Sequence, residues 1–143
     1  MQMNCQEITT PEEAAVCFAL RHQVFVEEQH VPVELEVDGL DADARHFAVK
    51  TDDRIIATCR VRRIGSAAKI ERVAVLKEFR RMGIGQTLMK YILQVLPRQG
   101  DIQLLKLSSQ ADAVQFYEKL GFRTRGNEYM DAGMPHYDMV KEI

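Results

Sequence analysis

A strand, a basic glycine-containing loop and a helix follow one another without interruption in residues 71–95, and this succession constrains the fold more than any other feature. Residues 71–76 are mostly apolar, as in a buried strand, and apolar side chains recur at helical spacing from Ile84 to Val95. The chain therefore places flexible, positively charged backbone directly before a helix. The loop contains two arginines and two glycines: Arg80, Arg81, Gly83 and Gly85.

This loop has the chemistry of a phosphate-binding site. The N–H groups at the start of a helix lack partners within the helix and lie at the positive end of its dipole, so they attract phosphate. Glycine has no Cβ to keep a ligand away from the main chain, and arginine adds charge-assisted donors. The loop lacks the terminal Gly-Lys-Ser/Thr of a Walker A motif and has only two of the three glycines of a dinucleotide fingerprint. It predicts a pyrophosphate site of another type.

A second segment, residues 113–122, reads Ala-Val-Gln-Phe-Tyr-Glu-Lys-Leu-Gly-Phe. Together with the loop, this segment resembles the acetyl-CoA motif and the A-x-x-F-Y-x-x-x-G-F segment of the GCN5-related N-acetyltransferase (GNAT) family. The two segments come in the family's order, separated by one helix and one strand, and the resemblance covers nearly the whole chain. The segments at residues 21–29, 34–46 and 131–136 are similar to those of a small bacterial branch of the family.

Length and charge restrict the domain organisation and the partners. The chain has 143 residues, which predicts one domain over residues 1–143. Nineteen Lys and Arg against 21 Asp and Glu give a net charge of −2, which excludes a general nucleic-acid binder and a polybasic membrane-surface protein. No apolar run reaches the roughly 18 residues of a membrane span, and no signal peptide is evident. We expect a cytoplasmic protein that binds neither nucleic acid nor membrane.

The three cysteines, Cys5, Cys17 and Cys59, are scattered and form no Cys-x-x-Cys pair. We expect free thiols and no metal site. The hydrophobic periodicities predict the element order β-α-β-β-β-α-β-α-β-β, a mixed α+β architecture. The predicted helices are residues 11–29, 84–96 and 111–120, with a long acidic loop at 30–45. The predicted strands are residues 2–8, 46–50, 55–64, 69–76, 102–107, 122–125 and 136–142.

The resemblance implies the GNAT fold, with a mixed, mostly antiparallel central sheet flanked by helices. It implies acetyl-CoA as co-substrate and a primary amine, we expect of a small molecule, as acceptor. The strand at residues 71–76 would splay from the strand at 102–107 to admit the pantetheine arm. The oligomeric state stays open between monomer and homodimer. The cofactor-binding residues that the resemblance implies are Val73, Ala74, Val75, Arg80, Arg81, Met82, Gly83, Ile84, Gly85, Gln86, Ala113, Phe116 and Tyr117.

Attack of an amine on a thioester needs a neutral amine, a polarised carbonyl and a protonated leaving thiolate. Tyr117 matches the family tyrosine that protonates the thiolate, and a phenol with a pKa of about 10 stays protonated at neutral pH. Packing under its helix is the alternative role for Tyr117. Some family members have an Asn at the end of the strand before this segment, whereas Ser108 and Ser109 occupy that place here. The group that positions water is therefore open.

The general base has several candidates. Glu71 lies two residues before Val73, so we expect both side chains on one face of the strand, where Glu71 can deprotonate the amine. A four-residue turn at 65–68 would instead place Arg62 opposite Glu71, and an ion pair would explain the glutamate equally well. The other candidates are His136, His46 and water, since imidazole titrates near neutrality.

The acceptor site is expected between the first helix, the following loop and the last strand pair. Five acids between Glu34 and Asp43 form either a rim for a cationic amine or a solvated charged segment. Arg60 and Arg62 favour an anionic substituent instead. Arg21, on the apolar side of the first helix, is expected to be a buried charge paired with Glu28, Glu34 or Asp38. The predicted substrate-binding residues are Phe25, Glu28, Arg60 and His136.

Three other functions remain open at this point. An acyl-CoA-binding sensor without turnover would keep the cofactor site, and an acyltransferase could use a different acyl group. Autoinducer synthases share this core and an early Arg-x-x-Val-Phe element, which residues 21–25 resemble. Those synthases are usually longer and carry a tryptophan soon after that element, and this chain has none.

Overall fold

The computed structural model describes residues 2–143, which form one mixed sheet with helices on both faces. The strands occur along the sheet in the order β1-β2-β3-β4-β5-β8-β6, and β7 pairs with β8. β4 and β5 run parallel, and the other pairs are antiparallel. The strands are β1 Asn4–Ile8, β2 Arg45–Thr51, β3 Arg54–Ile64, β4 Ala67–Val75, β5 Leu104–Gln110, β6 Arg123–Thr124, β7 Tyr129–Asp131 and β8 Met134–Glu142.

The helices follow the predicted pattern, with two additions. α1 starts as its sequence predicts, because the Thr10 hydroxyl accepts a hydrogen bond from the Glu13 N–H at 3.2 Å and Pro11 fills the first helical position. α1 then continues as a π-helix, and the predicted loop at 30–45 contains a short helix, α2. The helices are α1 Pro11–Arg21, the π-helix His22–Glu28, α2 Val33–Glu36, α3 Ile84–Val95 and α4 Val114–Glu118.

The parallel strands β4 and β5 separate part of the way along their length. Their pairing ends at Ile70 and Leu107, although β4 continues to Val75 and β5 to Gln110. The N–H of Leu76 donates to Ile56 on the β3 side at 3.0 Å. Because N–H directions alternate along a strand, the N–H groups of Val73 and Val75 lie on the edge that faces β5. The predicted splayed strand pair is confirmed, and it leaves an unpaired main-chain edge on β4.

A β-bulge marks the start of this divergence. On β3, Thr58 pairs with Ala74 and Arg60 pairs with Glu71, so two residues of β4 stand opposite one residue of β3. One of these two, Arg72, has a positive φ of 57°. The extra residue reverses the alternation of side chains, which puts Glu71 on the face of Ala74 and leaves Val73 on the other face. The expectation that Glu71 and Val73 share a face is therefore wrong.

The turn between β3 and β4 also differs from its prediction. Ile64 pairs with Ala67, so two residues form the turn instead of four. This register places Lys69 opposite Arg62 and Arg60 opposite Glu71. The predicted directly opposite pair of Arg62 with Glu71 is wrong, although Arg62 still contacts Glu71 diagonally.

Two fully buried arginines lie between the sheet and the segment that follows the π-helix. Arg21 is 1% exposed, and its guanidinium binds Glu36 and Asp41, each at 2.7 Å. Its expected burial is confirmed, but the predicted partners Glu28, Glu34 and Asp38 are wrong, because residues 33–41 curve back over α1.

Arg60 is 0% exposed and is surrounded by carboxylates. It binds Asp38 at 2.9 Å, Glu71 at 3.0 Å and Asp41 at 3.1 Å. The guanidinium of Arg72 donates to the carbonyl oxygens of residues 35 and 36 and to Asp38. This buried ion network joins the segment after the π-helix to the bulge of β4.

We predict that Arg60→Ala lowers the free energy of unfolding by about 3–5 kcal/mol, because it leaves several carboxylates without their buried counter-ion. The matched control is Arg63→Ala. Arg63 pairs with Asp101 on the surface, and its loss should change stability by less than about 1 kcal/mol. Urea unfolding of both variants measures the difference, and equal losses would contradict the assigned role of the network.

Candidate active site

A cavity of about 430 Å³ opens where β4 and β5 separate. Its walls come from the π-helix, α2, the bulged part of β4, the end of β5, the region of α4 and the hairpin of β7 and β8. Sequence-predicted site residues from four separate segments meet here. They are Phe25, Glu71, Val73, Ala113, Tyr117 and His136.

The cavity reaches both faces of the sheet. On β4, the register places Val73 on the face covered by α3, together with Cys59 of β3. On β5, Ser108 shares the opposite face with Lys69 and Glu71, which is the face covered by α1 and the π-helix. The gap between the strands is therefore a passage that connects the two faces.

The basic loop leads from the unpaired edge of β4 to α3. Gly83 is the N-cap of α3 in the left-handed conformation with φ 78°, and no side chain caps the helix. A Cβ on Gly83 would meet nothing within 4 Å, so no other part of the protein covers the N-cap at this position. Ile84 is buried in the core, so only its main chain is available to a ligand. Arg81, Met82 and Gln86 are exposed around this helix start. This arrangement fits the pyrophosphate of a nucleotide cofactor.

Arg80 connects three parts of the site. Its Nε donates to the Val75 carbonyl at 2.9 Å, and its two Nη atoms bind the Glu28 carboxylate at 2.8 and 2.9 Å. Glu28 therefore joins the end of the π-helix to the loop, outside the lining of the cavity. Across the loop, the ring of Phe116 lies 3.7 Å from the position of a Cβ on Gly85, which brings α4 against the start of α3.

Tyr117 is held by aromatic neighbours at the cavity. Its ring packs edge-on against Phe116 at 5.0 Å and against Phe122 at 6.1 Å. Burial raises the pKa of Tyr117 to about 12, with a smaller contribution from Cys59. The phenol therefore keeps its proton at neutral pH, as a proton donor requires.

The carboxylate of Glu71 is surrounded by cations. It accepts from Arg62 at 2.6 Å and from Arg60 at 3.0 Å, and Lys69 lies 3.5 Å away. Burial acts to raise the pKa of Glu71, but the bond from Arg62 and the charges of Arg60 and Lys69 outweigh it and lower the pKa. An ionised carboxylate with these partners is a weak proton acceptor, so the geometry favours the ion-pair role over the base role.

The two candidate histidines lie in different places. The Nδ1 of His136 is 2.8 Å from the Met134 carbonyl, so Nδ1 carries the proton of the neutral ring and Nε2 is the basic nitrogen. His136 lines the cavity and stacks on Tyr129 with ring centroids 6.0 Å apart. His46 lies on β2 outside the cavity lining, and its Nε2 is 3.0 Å from the Asp41 carbonyl.

The expected roles of several charged residues change with their environment. Arg60 is fully buried among carboxylates, so its position is at odds with binding an anionic substituent, and we assign it to the fold. The acidic segment is neither a free rim nor fully solvated. Three of its five acids bind buried or half-buried arginines: Glu36, Asp38 and Asp41.

Sequence reasoning predicted His136 on β8 but missed β7 and its residues Tyr129 and Asp131. Asp131 lines the cavity and makes no ion pair within residues 2–143. Tyr129 contacts Ser108 and Asp138 through its hydroxyl. A three-residue strand gives little periodicity. The two turn residues, Ala132 and Gly133, both have positive φ, and of these two only Gly133 is a sequence signal for such a turn.

Residues 2–143 contain neither a metal-binding cluster nor a membrane-spanning helix. No group of three or more His, Cys, Asp or Glu side chains in this range is arranged to hold a metal ion. No helix in the same range is long and apolar enough to cross a membrane.

Comparison with known proteins identifies the class. The acetyltransferase (GNAT) domain family matches residues 6–143. A Bacillus subtilis (strain 168) protein named as a candidate acetyltransferase is 37% identical over 143 residues, covering 98% of this chain and 97% of that protein. The crystal structure of Escherichia coli ElaA has a TM-score of 0.89 and 27% identity, with 99% and 100% of the two chains covered. The structure of an acyl-CoA N-acyltransferase from Pseudomonas aeruginosa has a TM-score of 0.87 and 30% sequence identity, with 98% of each chain covered.

The fold and the site thus define an acetyltransferase. The chain belongs to the GNAT family, as its two sequence motifs predict, and the predicted fold class is confirmed.

The ion network makes stability depend on pH. The hydrogen bond from Arg60 holds the pKa of Asp38 well below its ordinary value. For Asp41, burial acts to raise the pKa, but bonds and charges from Arg21 and Arg60 leave it lowered. The unfolded chain, with ordinary carboxyl pKa values of about 4, therefore binds protons at a higher pH than the folded protein does.

We predict that this contribution to stability is fully present above pH about 4 and is lost as the pH falls towards the lowered folded-state pKa values. Urea unfolding over a pH series should show that the free energy of unfolding falls as the pH falls, and that this dependence on pH is weaker in Asp38→Asn. The control is Asp112→Asn, which alters an exposed carboxylate without an ion pair among the described residues. If the free energy of unfolding of Asp38→Asn depended on pH as strongly as that of the wild type, the assigned contribution of Asp38 would be contradicted.

Proposed function

We propose that this acetyltransferase moves the acetyl group of acetyl-CoA to the primary amine of a small molecule, by direct attack within a ternary complex. The observation that carries the proposal is the arrangement of three features along β4: its unpaired edge and a protonated tyrosine at the cavity, and the uncapped start of α3 at the end of the loop that leaves β4. The relative whose structure is that of an acyl-CoA N-acyltransferase supports an acyl-CoA donor.

The main chain supplies the cofactor contacts in this proposal. The N–H groups of Val73 and Val75 on the edge of β4 bind the pantetheine arm, and one of them polarises the thioester carbonyl. The N–H groups of residues 81–86 bind the pyrophosphate at the start of α3, assisted by the charge of Arg81, and Arg80, paired with Glu28, holds the loop in place. Ala113 and Phe116 limit the width of the groove beside α4.

Tyr117 acts as the general acid. It lies on the α4 side of the passage, and its raised pKa keeps the phenol protonated until the thiolate forms. The amine enters from the opposite face, between the π-helix and the β7–β8 hairpin. There Phe25 provides an apolar wall and His136 a polar one. Attack forms the C–N bond, the C–S bond breaks, and the sulfur takes the Tyr117 proton.

We predict that Tyr117→Phe lowers kcat by about 10²-fold or more without changing the affinity for CoA, because it removes a proton donor and keeps the ring. The assay gives purified protein acetyl-CoA with a panel of amines, amino sugars and peptides, and follows thiol release. Tyr91→Phe, on α3 outside the cavity lining, is the control. CoA binding without turnover on any acceptor would instead indicate a sensor domain.

We predict that Gly83→Asp weakens CoA binding by about tenfold or more, because it places a negative charge where the pyrophosphate binds. The control is Gly65→Asp in the turn between β3 and β4. Both glycines have positive φ and open space at the Cβ position, so both variants share the same backbone strain. Titration calorimetry with CoA measures the affinities, and equal affinities of the two variants would refute the assigned pyrophosphate site.

A further inference from the structure

Three polar side chains form a continuous hydrogen-bonded chain from the cavity to the surface. The Tyr129 hydroxyl lies 2.7 Å from Oδ1 of Asp138 and also bonds the Ser108 hydroxyl. An ionised carboxylate only accepts, so Tyr129 donates its one proton to Asp138. The bond between the two hydroxyls then has Ser108 as the donor. The direction of the chain is therefore fixed, from Ser108 to Tyr129 to Asp138.

Ser108 stands where the reaction would take place. The last residue pair between β4 and β5 is Ile70 with Leu107, and Ser108 is the next residue of β5. Ser108 also lines the cavity. Because its proton is directed to Tyr129, the oxygen of Ser108 can only accept a hydrogen bond from a ligand. An acceptor at the point of divergence suits an ammonium group, which only donates.

The other end of this hydrogen-bonded series, Asp138, is open to water. Asp138 is exposed and lies directly opposite Ser108 across the β5–β8 pair, so the two residues are held in register by the sheet. Tyr129 is half-buried and stacks on His136. Burial raises the pKa of Tyr129, and the bond to Asp138 adds to this against the opposing effect of Ser108, so its phenol stays protonated.

We propose that Ser108, Tyr129 and Asp138 are a proton relay that deprotonates the acceptor ammonium. The proposal rests on the proposed acetyl transfer. The ammonium proton moves to Ser108 as Ser108 passes its own proton to Tyr129 and Tyr129 passes its own to Asp138, which releases it to water. The neutral amine then attacks the thioester carbon. A second proton leaves the nitrogen afterwards and replaces the proton that Tyr117 gives to the thiolate.

The relay accounts for a step that the two ion-paired acids in the cavity, Glu71 and Glu36, perform poorly. Glu71 is bound by three cations on the same face as Ser108. Glu36 is bound by Arg21. The competing proton acceptors are the basic Nε2 of His136 and the carboxylate of Asp131, because both side chains line the same cavity.

The test compares two small probe acceptors that differ in basicity. Propylamine is almost fully protonated at neutral pH, whereas trifluoroethylamine is mostly neutral and needs no deprotonation before attack. The relay variants are Ser108→Ala, Tyr129→Phe and Asp138→Asn, and His136→Gln and Asp131→Asn remove the two competing proton acceptors. Tyr137→Phe is the control, because it removes a tyrosine hydroxyl from the other face of β8, outside the cavity lining. Acetyl-CoA turnover and CoA affinity are measured for each.

We expect the three relay variants to lower kcat with propylamine by about 10²-fold at unchanged CoA affinity, and with trifluoroethylamine by only a few-fold. A structural defect would lower both rates equally, and that result would overturn the relay. The same selective loss in His136→Gln alone, or in Asp131→Asn alone, would also overturn it and assign the base to that side chain. A wild-type protein that binds CoA but acetylates neither probe nor any amine of the panel would overturn the proposed transfer itself, and the relay with it.

Discussion

The separation of β4 from β5 is the constraint on which the rest of the structure depends. Two parallel strands that stayed paired to their ends would leave neither a free main-chain edge nor a passage between the faces of the sheet. The pairing ends at Ile70 and Leu107, and the bulge at Arg72 turns β4 away immediately afterwards. The cavity, the unpaired N–H groups and the loop to α3 all follow from this one divergence.

The buried ion network holds the divergence in place. Arg60 and Arg72 of the β3–β4 pair bind carboxylates of residues 36–41, so the bulge is fastened to the segment that walls the acceptor side. Buried ion pairs add little net stability over apolar packing, but losing one partner is costly, which makes such a network suited to fixing one geometry. Three of the acids predicted as a substrate rim, Glu36, Asp38 and Asp41, instead form ion pairs that hold the walls of the cavity together.

The sequence was informative where the chemistry is local. The loop from Arg80 to Gly85 and the helix after it were predictable because the phosphate-binding chemistry and the periodicity belong to consecutive residues. The bulge was not, because it depends on the register between two strands, and it reversed the predicted face of Glu71. The partners of Arg21 and the hydrogen bonds among Ser108, Tyr129 and Asp138 could not be predicted from the sequence either, since each set comes from segments distant in the chain.

We propose that acetyl-CoA binds in the gap between β4 and β5, with its pyrophosphate at the start of α3. Amide resonances of the labelled protein, followed by NMR during titration with acetyl-CoA, test this most directly. The account predicts large shifts at Val73, Val75 and residues 83–86, and little change along β1 at the far edge of the sheet. If acetyl-CoA bound saturably but shifted amide resonances elsewhere and left those of β4 and α3 unchanged, the proposed binding site would be contradicted.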